Sequence, residues 1–338
     1  MATGFEVVWR RVLHQRPNPQ AFAVVGDVVL VVERSSRLVR VDERTGGTRW
    51  EARVGDTWGP LGCSGSSCCY VDERQGLLRN LDLADGHERW SSLLPRPGGY
   101  AVGAHRTVVT GGWRHYHPLT GFDLETGATR WSWRDEPAGP EPAASLRPLA
   151  LGDDLLVGTP GGRVLWQLQA ATGRVVRRWR LPLPLADPDA REAFARIGDR
   201  TALVRCGPRL VVRIDLDDPA PQTVWWHDSD LEPDAVQLLG GTMLLRETAG
   251  RTVAVDFDRG IVRWTLRSPE PAVADAVQVP GGYVLADRSG LVWLLDQDGE
   301  TITRRPLSRR HHQLATGTEG RLFVLGKGEL VCLTIGPG

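Results

Sequence analysis

Short β-patterned runs, each bounded by Gly, Asp, Ser or Thr, follow one another along almost the whole chain. The first group reads "AFAVV", "VVLVVE", "RLVRVD" and "TRWEARV". Each run has the length and the β-branched content of a strand, and turn residues separate it from the next. The third run ends on Asp42, a Gly follows four residues later and a Trp four after that, giving Asp42, Gly46 and Trp50. The same spacing returns in "LDLADGHERW" (Asp82, Gly86, Trp90), "FDLETGATRW" (Asp123, Gly127, Trp131) and "VDFDRGIVRW" (Asp256, Gly260, Trp264).

Weaker copies fill the gaps. "LQAATGRVVRRW" keeps Gly173, with Gln169 for the Asp and a displaced Trp179. "IDLDDPAPQTVWW" keeps Asp215 and places Trp225 two residues late, and "LDQDGETITR" keeps Asp296 and ends on Arg304. The Asp-equivalent positions are therefore 42, 82, 123, 169, 215, 256 and 296, with steps of 40, 41, 46, 46, 41 and 40. A period in the forties built from four short strands predicts a β-propeller. The strands are named A to D, from the axis outward. The Thr-Gly turn between C and D supplies the positive φ of a tight hairpin. The Trp, early on D, has the flat bulk to fill the wedge between neighbouring blades.

The ends complete the count. "HHQLATGTEGRLFVLGKGELVCLTIGPG" supplies three strands, and "FEVVWRRVL" is a lone strand whose Trp9 lies 41 residues before Trp50, in outer-strand register. The expected fold class is all-β: an eight-bladed propeller of four-stranded antiparallel blades, with the N-terminal strand closing the last blade and covering the open edge. The expected domain is one propeller over residues 5–335, with blades near 21–55, 59–95, 99–136, 145–184, 192–229, 235–268, 273–307, and 311–335 plus 5–13.

Composition adds two things. Thirteen Trp against four Tyr and six Phe in 338 residues fit one motif copied along the chain. A net charge of zero gives no electrostatic reason to expect nucleic acid or an anionic membrane as partner. No apolar run reaches the roughly 18 residues of a membrane helix. The start, "MATGFEVVWRRVLHQRP", lacks the features of a secretory signal, and five cysteines do not make a disulfide framework. The expected compartment is the cytoplasm.

The pattern apolar-Asp-x-x-Thr-Gly-x-x-x-Trp, at about forty residues over eight blades, resembles the PQQ-like repeat family, quinoprotein and BamB-like. The resemblance covers almost the whole chain. It implies that Asp, Gly and Trp dock blades, as they do in members that bind no quinone, so they report fold rather than chemistry. Quinoprotein alcohol dehydrogenases have a vicinal cysteine pair beside the cofactor, and "GCSGSSCCY" offers Cys68 and Cys69. These fall in the second strand of blade 2, and no Ca²⁺ carboxylate set accompanies them. They read as small buried hydrophobes in a strand. No quinone is expected, and Cys63, Cys68 and Cys69 lack the second ligand cluster of a zinc site, so no metal is expected either.

A ligand site is expected on the face carrying the D–A and B–C connections. The richest segment is "WRHYH": Trp113, Arg114, His115, Tyr116 and His117 combine an aromatic platform, a cation and two imidazoles. His311 and His312 enter the first strand of blade 8, so the four histidines are the candidate acids or bases. Arg147, Arg196, Asp275 and Gln313 interrupt otherwise small or apolar inner strands. They suit either an Arg–Asp network or a pocket for a carboxylate or phosphate. The Pro-rich D–A segments around 134–148 and 181–194, with "HDSDLEPD" at 227–234, give that face an acidic arc. Two functions remain: a scaffold binding a protein, peptide or small molecule without bound quinone, or a cofactor-independent lyase, cyclase or hydrolase working in an axial pocket.

Overall fold

A computed structural model describes residues 2–14, 17–33, 36–55, 57, 59–94, 99–111, 118–133, 146–186, 194–232, 236–267, 273–308 and 310–337. Eight four-stranded antiparallel sheets account for them, each the blade of a propeller with strands in the order A-B-C-D. The one helical turn among the named elements is a short 3-10 turn at Thr318–Gly320. By contact the chain divides into two compact units.

The first unit, Met1–Val54 with Leu239–Gly338, holds blades 7, 8 and 1 and nearly all of blade 6. Blade 1 runs Pro17–Val25, Val28–Glu33, Arg37–Asp42 and Thr48–Arg53. Blade 8 consists of His311–Thr316, Leu322–Gly326 and Glu329–Pro337, and its fourth strand is Ala2–Val12 from the other end of the chain. Phe5 lies opposite Ile335 and Trp9 opposite Cys332. The expected closure by the N-terminal strand is therefore present.

The second unit, Gly55–Leu238, holds blades 2 to 5. Their A strands are Gly62–Ser64, Ala101–Ala104, Leu149–Leu151 and Phe194–Arg196. The first two approach each other almost backbone to backbone. A Cβ on Gly62 would stand 2.7 Å from the Ala101 carbonyl oxygen, and one on Gly103 would stand 2.8 Å from the Ser64 Cβ. The small residues of "LGCSG" and "YAVGA" are thus required by close packing.

The repeated motif turns out to be split between blades. Its Gly has positive φ, 72° at Gly46 and 74° at Gly127, and its N–H bonds the Asp carbonyl four residues back. The Trp of the preceding blade lies on that Gly. Trp9 covers Gly46, Trp90 covers Gly127 and Trp131 covers Gly173; a Cβ there would stand 2.7, 2.7 and 2.5 Å from the indole ring. The same indoles donate Nε1–H to the carbonyl just after the next blade's Asp-equivalent position: Trp9 to Glu43 at 3.0 Å, Trp90 to Leu124 at 2.9 Å and Trp131 to Ala170 at 2.8 Å. The blade 3 copy therefore receives Trp90 at its C–D turn and delivers Trp131 from its D strand.

The displaced Trp179 follows the same logic. It pairs with Leu165, whereas the strong copies place the Trp opposite the residue two before the Asp. Two residues along a strand preserve the face, so Trp179 stays buried and reaches the Asp218 carbonyl. The vacated position holds Arg177, which donates to the carbonyls of Leu216 at 2.9 Å and Asp218 at 2.6 Å. Arg177 thus supplies the hydrogen bond that an indole supplies elsewhere.

A bulge sets the last part of the motif. In the strong copies the C–D register slips by one residue just before the Trp, leaving Arg49, Arg89, Arg130 and Arg263 without a residue opposite. Each of these guanidiniums binds the Asp carboxylate seven residues earlier. At Asp123 the Arg130 ion pair, together with the N–H of Thr126 and Glu125 and the Thr126 hydroxyl, holds the carboxyl well below its usual range. Asp42, Asp82 and Asp256 are lowered by the same kinds of partner. A lowered folded-state value contributes stability above the unfolded value near 3.9, and that contribution disappears as pH falls through the folded one. Asp123→Asn is therefore expected to lower the unfolding midpoint at pH 7 and to approach wild-type stability at the acid end. Thermal melts across pH 2–7 check it; a deficit constant with pH would contradict the ionic role.

Candidate interaction face

The B–C and D–A connections leave the same end of each blade, and in both units buried charges brace them. In the first unit three B strands, those of blades 1, 6 and 7, have an acid at or just past their end: Glu33, Glu247 and Asp287. Glu33 is buried and accepts Nε and Nη2 of Arg37 at 3.0 and 2.6 Å; Glu247 is buried and accepts Arg251 at 2.8 and 2.5 Å. Asp287 instead gathers the N–H groups of Ser289, Gly290 and Leu291 at 2.9–3.0 Å. Each of these turns carries an acid at the end of an apolar run. Strand alternation hides the signal, because an acid closing a run looks like the start of a solvated turn.

In the second unit the main device is Arg205, buried on the B strand Thr201–Cys206. Its guanidinium donates to the carbonyls of Glu232, Gly207 and Leu231. The Leu231 N–H returns to the Pro208 carbonyl, and the His227 N–H to that of Arg209. The D–A segment 227–232 is thereby folded onto its own B–C turn. His227 is buried and takes the Trp225 indole N–H at 3.3 Å. Next to it, Trp226 ends the D strand Gln222–Trp226 with 58% of its surface exposed, beside exposed Asp228 and an Asp230 bonded to Arg209 at 2.7 Å. A rigid segment thus presents an indole and carboxylates to solvent.

The residues nominated from sequence do not gather in one described place. Trp113, Arg114, His115, Tyr116 and His117 lie outside the described residues, as do Asp135, Glu136, Glu141, Asp187, Asp189 and Asp234 of the acidic arc. His311 and His312 begin the A strand of blade 8, with a register slip between His311 and Gln313. Gln313 is half-buried opposite Leu325. Asp275 clasps two blades: its carboxylate accepts the Leu314 N–H at 2.6 Å and its own next N–H at 2.9 Å. Arg147 is half-buried just before its A strand begins. Arg196 is at the opposite end of an A strand, exposed, and donates to Asp199 at 2.6 Å and to the Gly198 carbonyl at 3.2 Å. Arg147 and Arg196 therefore mark different ends of the second unit.

Cys68 and Cys69 are both fully buried in the B strand Ser67–Asp72 and, as neighbours in a strand, point to opposite faces. Cys69 enters the apolar cluster with Val71, Leu78 and Phe122. The pair does not fit a vicinal cysteine pair facing one quinone. Among the described residues no three His, Cys, Asp or Glu side chains form a metal cluster, and no helix is long and apolar enough to cross a membrane.

The family described as outer membrane protein assembly factor BamB, of PQQ-like repeats, matches residues 2–94 and 34–214, which together exceed half of the chain. The chain belongs to this BamB family. A curated relative, the outer membrane protein assembly factor BamB of Alkalilimnicola ehrlichii, is 28% identical over 199 residues, 53% of this chain and 49% of the relative. That match thus spans about half the length of the relative. Among solved structures, BamB from Moraxella catarrhalis shares the fold with a TM-score of 0.73 at 20% identity, covering 98% of each chain. The computationally designed Ika8 protein gives the same TM-score at 14% identity, with 98% of this chain and 100% of that one covered. At these identities the likeness is one of fold, and the designed protein shows how little the fold says about ligand chemistry.

Proposed function

We propose that this chain is a protein-binding scaffold whose recognition surface is the D–A and B–C connection face, centred in the second unit on Trp226. The observation carrying this reading is an exposed indole on a braced platform. Trp226 stands free while Arg205, Arg209 and His227 lock the segment beneath it. A pre-ordered aromatic loses little entropy on binding, and Trp is the residue type most enriched at binding hot spots. Asp228 and Asp230 beside it favour a partner with a basic, apolar segment. The family's name, which is given for assembly of the outer membrane, supports a protein partner in general terms. We place this scaffold in the cytoplasm, on the support of its five free cysteines.

A photo-reactive amino acid at position 226, introduced in the native host, tests the reading. A discrete protein adduct at 226, absent when the probe is placed at Ile302 on another D strand, is the expected result. Equal labelling at both positions, or none at 226, would overturn it.

A further inference from the structure

Blade 2 begins with a hairpin that no part of the scaffold reading uses. Its A strand Gly62–Ser64 and B strand Ser67–Asp72 are joined by Gly65 and Ser66 alone, with Gly65 at φ 56°. Ser64 faces Ser67, Cys63 faces Cys68 and Gly62 faces Cys69. In a two-residue hairpin the closing pair exchanges both backbone hydrogen bonds, so the next pair outward is a non-hydrogen-bonded one. There the Cα atoms approach to about 4.5 Å, at the near end of the range a disulfide spans. Cys63 and Cys68 occupy that pair, directly opposite one another.

We propose that Cys63 and Cys68 are a reversible thiol–disulfide site, oxidised by a small hydroperoxide. The vicinal Cys68 and Cys69 are excluded from this role, because side chains of adjacent strand residues diverge to opposite faces. Cys69 is also enclosed by the blade's other core. The roles within the pair are unequal. Cys63 is half-buried whereas Cys68 is fully buried, so the peroxide reaches Cys63 first. The neighbouring Cys68 thiol lowers Cys63, whereas Cys63 and burial raise Cys68. Cys63 is thus the attacking thiolate and Cys68 the resolving thiol.

The chemistry balances. The Cys63 thiolate, its proton released to solvent, attacks the terminal peroxide oxygen. The O–O bond breaks and an alcohol leaves after taking up a proton, so Cys63 becomes a sulfenic acid. The Cys68 sulfur then attacks the Cys63 sulfur, the S–O bond breaks, and the Cys68 proton leaves with the hydroxide as water. Two thiols have lost two electrons and the hydroperoxide has gained them. Because the strands are already paired, closure needs no backbone rearrangement, and thiol reductant reverses it.

The test uses the full folded chain, freed of reductant, with tert-butyl hydroperoxide as probe. Intact mass, thiol alkylation and reversal by dithiothreitol are read for the wild type and for Cys69→Ala, Cys63→Ser and Cys68→Ser. The expected result is loss of the mass of two hydrogen atoms and of two alkylatable thiols in the wild type and in Cys69→Ala, both restored by dithiothreitol. Neither Cys63→Ser nor Cys68→Ser should show that loss. Cys69→Ala leaves the proposed pair intact and serves as the decisive variant should either serine variant fail to fold. Loss of the closure in Cys69→Ala would overturn the proposal, as would a retained oxygen on Cys63 with no internal link. So would closure surviving in Cys63→Ser or Cys68→Ser.

Discussion

Gly127→Ala is expected to destabilise the protein by about 2–5 kcal/mol, the sum of left-handed backbone strain and overpacking. The added methyl would stand 2.7 Å from the Trp90 ring and 2.8 Å from the Ser92 hydroxyl, at φ 74°. The ring cannot retreat easily, because its Nε1–H is held by the Leu124 carbonyl at 2.9 Å and Ser92 bonds the Gly127 carbonyl at 2.6 Å. Gly260 is the matched control. It occupies the same motif position at φ 64°, but nothing stands within 4 Å of its would-be Cβ. Gly260→Ala should therefore carry only the backbone strain, about 1–2 kcal/mol. Chemical denaturation of both variants checks the difference. Equal losses would mean that the Trp-on-Gly contact contributes nothing beyond dihedral preference.

Trp9→Ala should have the largest effect of any single side-chain truncation at the closure, about 3–5 kcal/mol. This indole belongs to blade 8 but serves blade 1. It covers Gly46, bonds the Glu43 carbonyl and packs 5.9 Å from the Phe323 ring. Around it Glu43 accepts the N–H and hydroxyl of Thr318, both at 2.6 Å, and Arg44 pairs with Glu319 at 2.8 Å. Losing Trp9 weakens the seam at which the two ends of the chain meet, where no covalent connection backs up the contacts. Deleting residues 1–12 goes further and leaves the strand Glu329–Pro337 as a bare edge, for which aggregation is the expected outcome. Trp226→Ala, at an exposed indole, should stay within about 0.5 kcal/mol of wild type. Comparable losses for Trp9→Ala and Trp226→Ala would contradict the closure described here.

The fold was legible because a propeller repeats its packing problem. Turns such as those at Gly46 and Gly127 accept the previous blade's indole, so Asp, Gly and Trp recur at fixed spacing and the count follows. What the spacing concealed is that the three residues of one copy do not contact one another as a set: Gly46, Gly127 and Gly173 each meet the Trp of the blade before. The Arg preceding each strong Trp was visible in "TRW", "ERW" and "VRW", yet its ion pair with the Asp depends on a bulge that no composition rule reports. Arg177 was less visible still, since an Arg doing the work of an indole matches no motif.

The candidate site was harder to read for a physical reason. Charged residues near strand ends serve both as turn braces and as ligand groups, and the sequence is the same in either case. Asp275 and Arg196 looked like interruptions of inner strands. Asp275 instead finds a neighbouring backbone N–H, and Arg196 an Asp in its own turn. Conversely, Arg205 sat unnoticed inside "TALVRC", where its burial could not be inferred from an apolar run. Trp226 was read only as a neighbour of the late Trp225; its exposure follows from strand alternation once Trp225 is fixed opposite Val211.

The most direct test of the scaffold reading is native mass spectrometry of the chain purified from its own host at low ionic strength. The account predicts a species heavier than the 37.2 kDa monomer by the mass of a second protein, and its dissociation in Trp226→Ala. A small molecule retained at one-to-one stoichiometry, unaffected by Trp226→Ala, would contradict it and move the functional site away from this face.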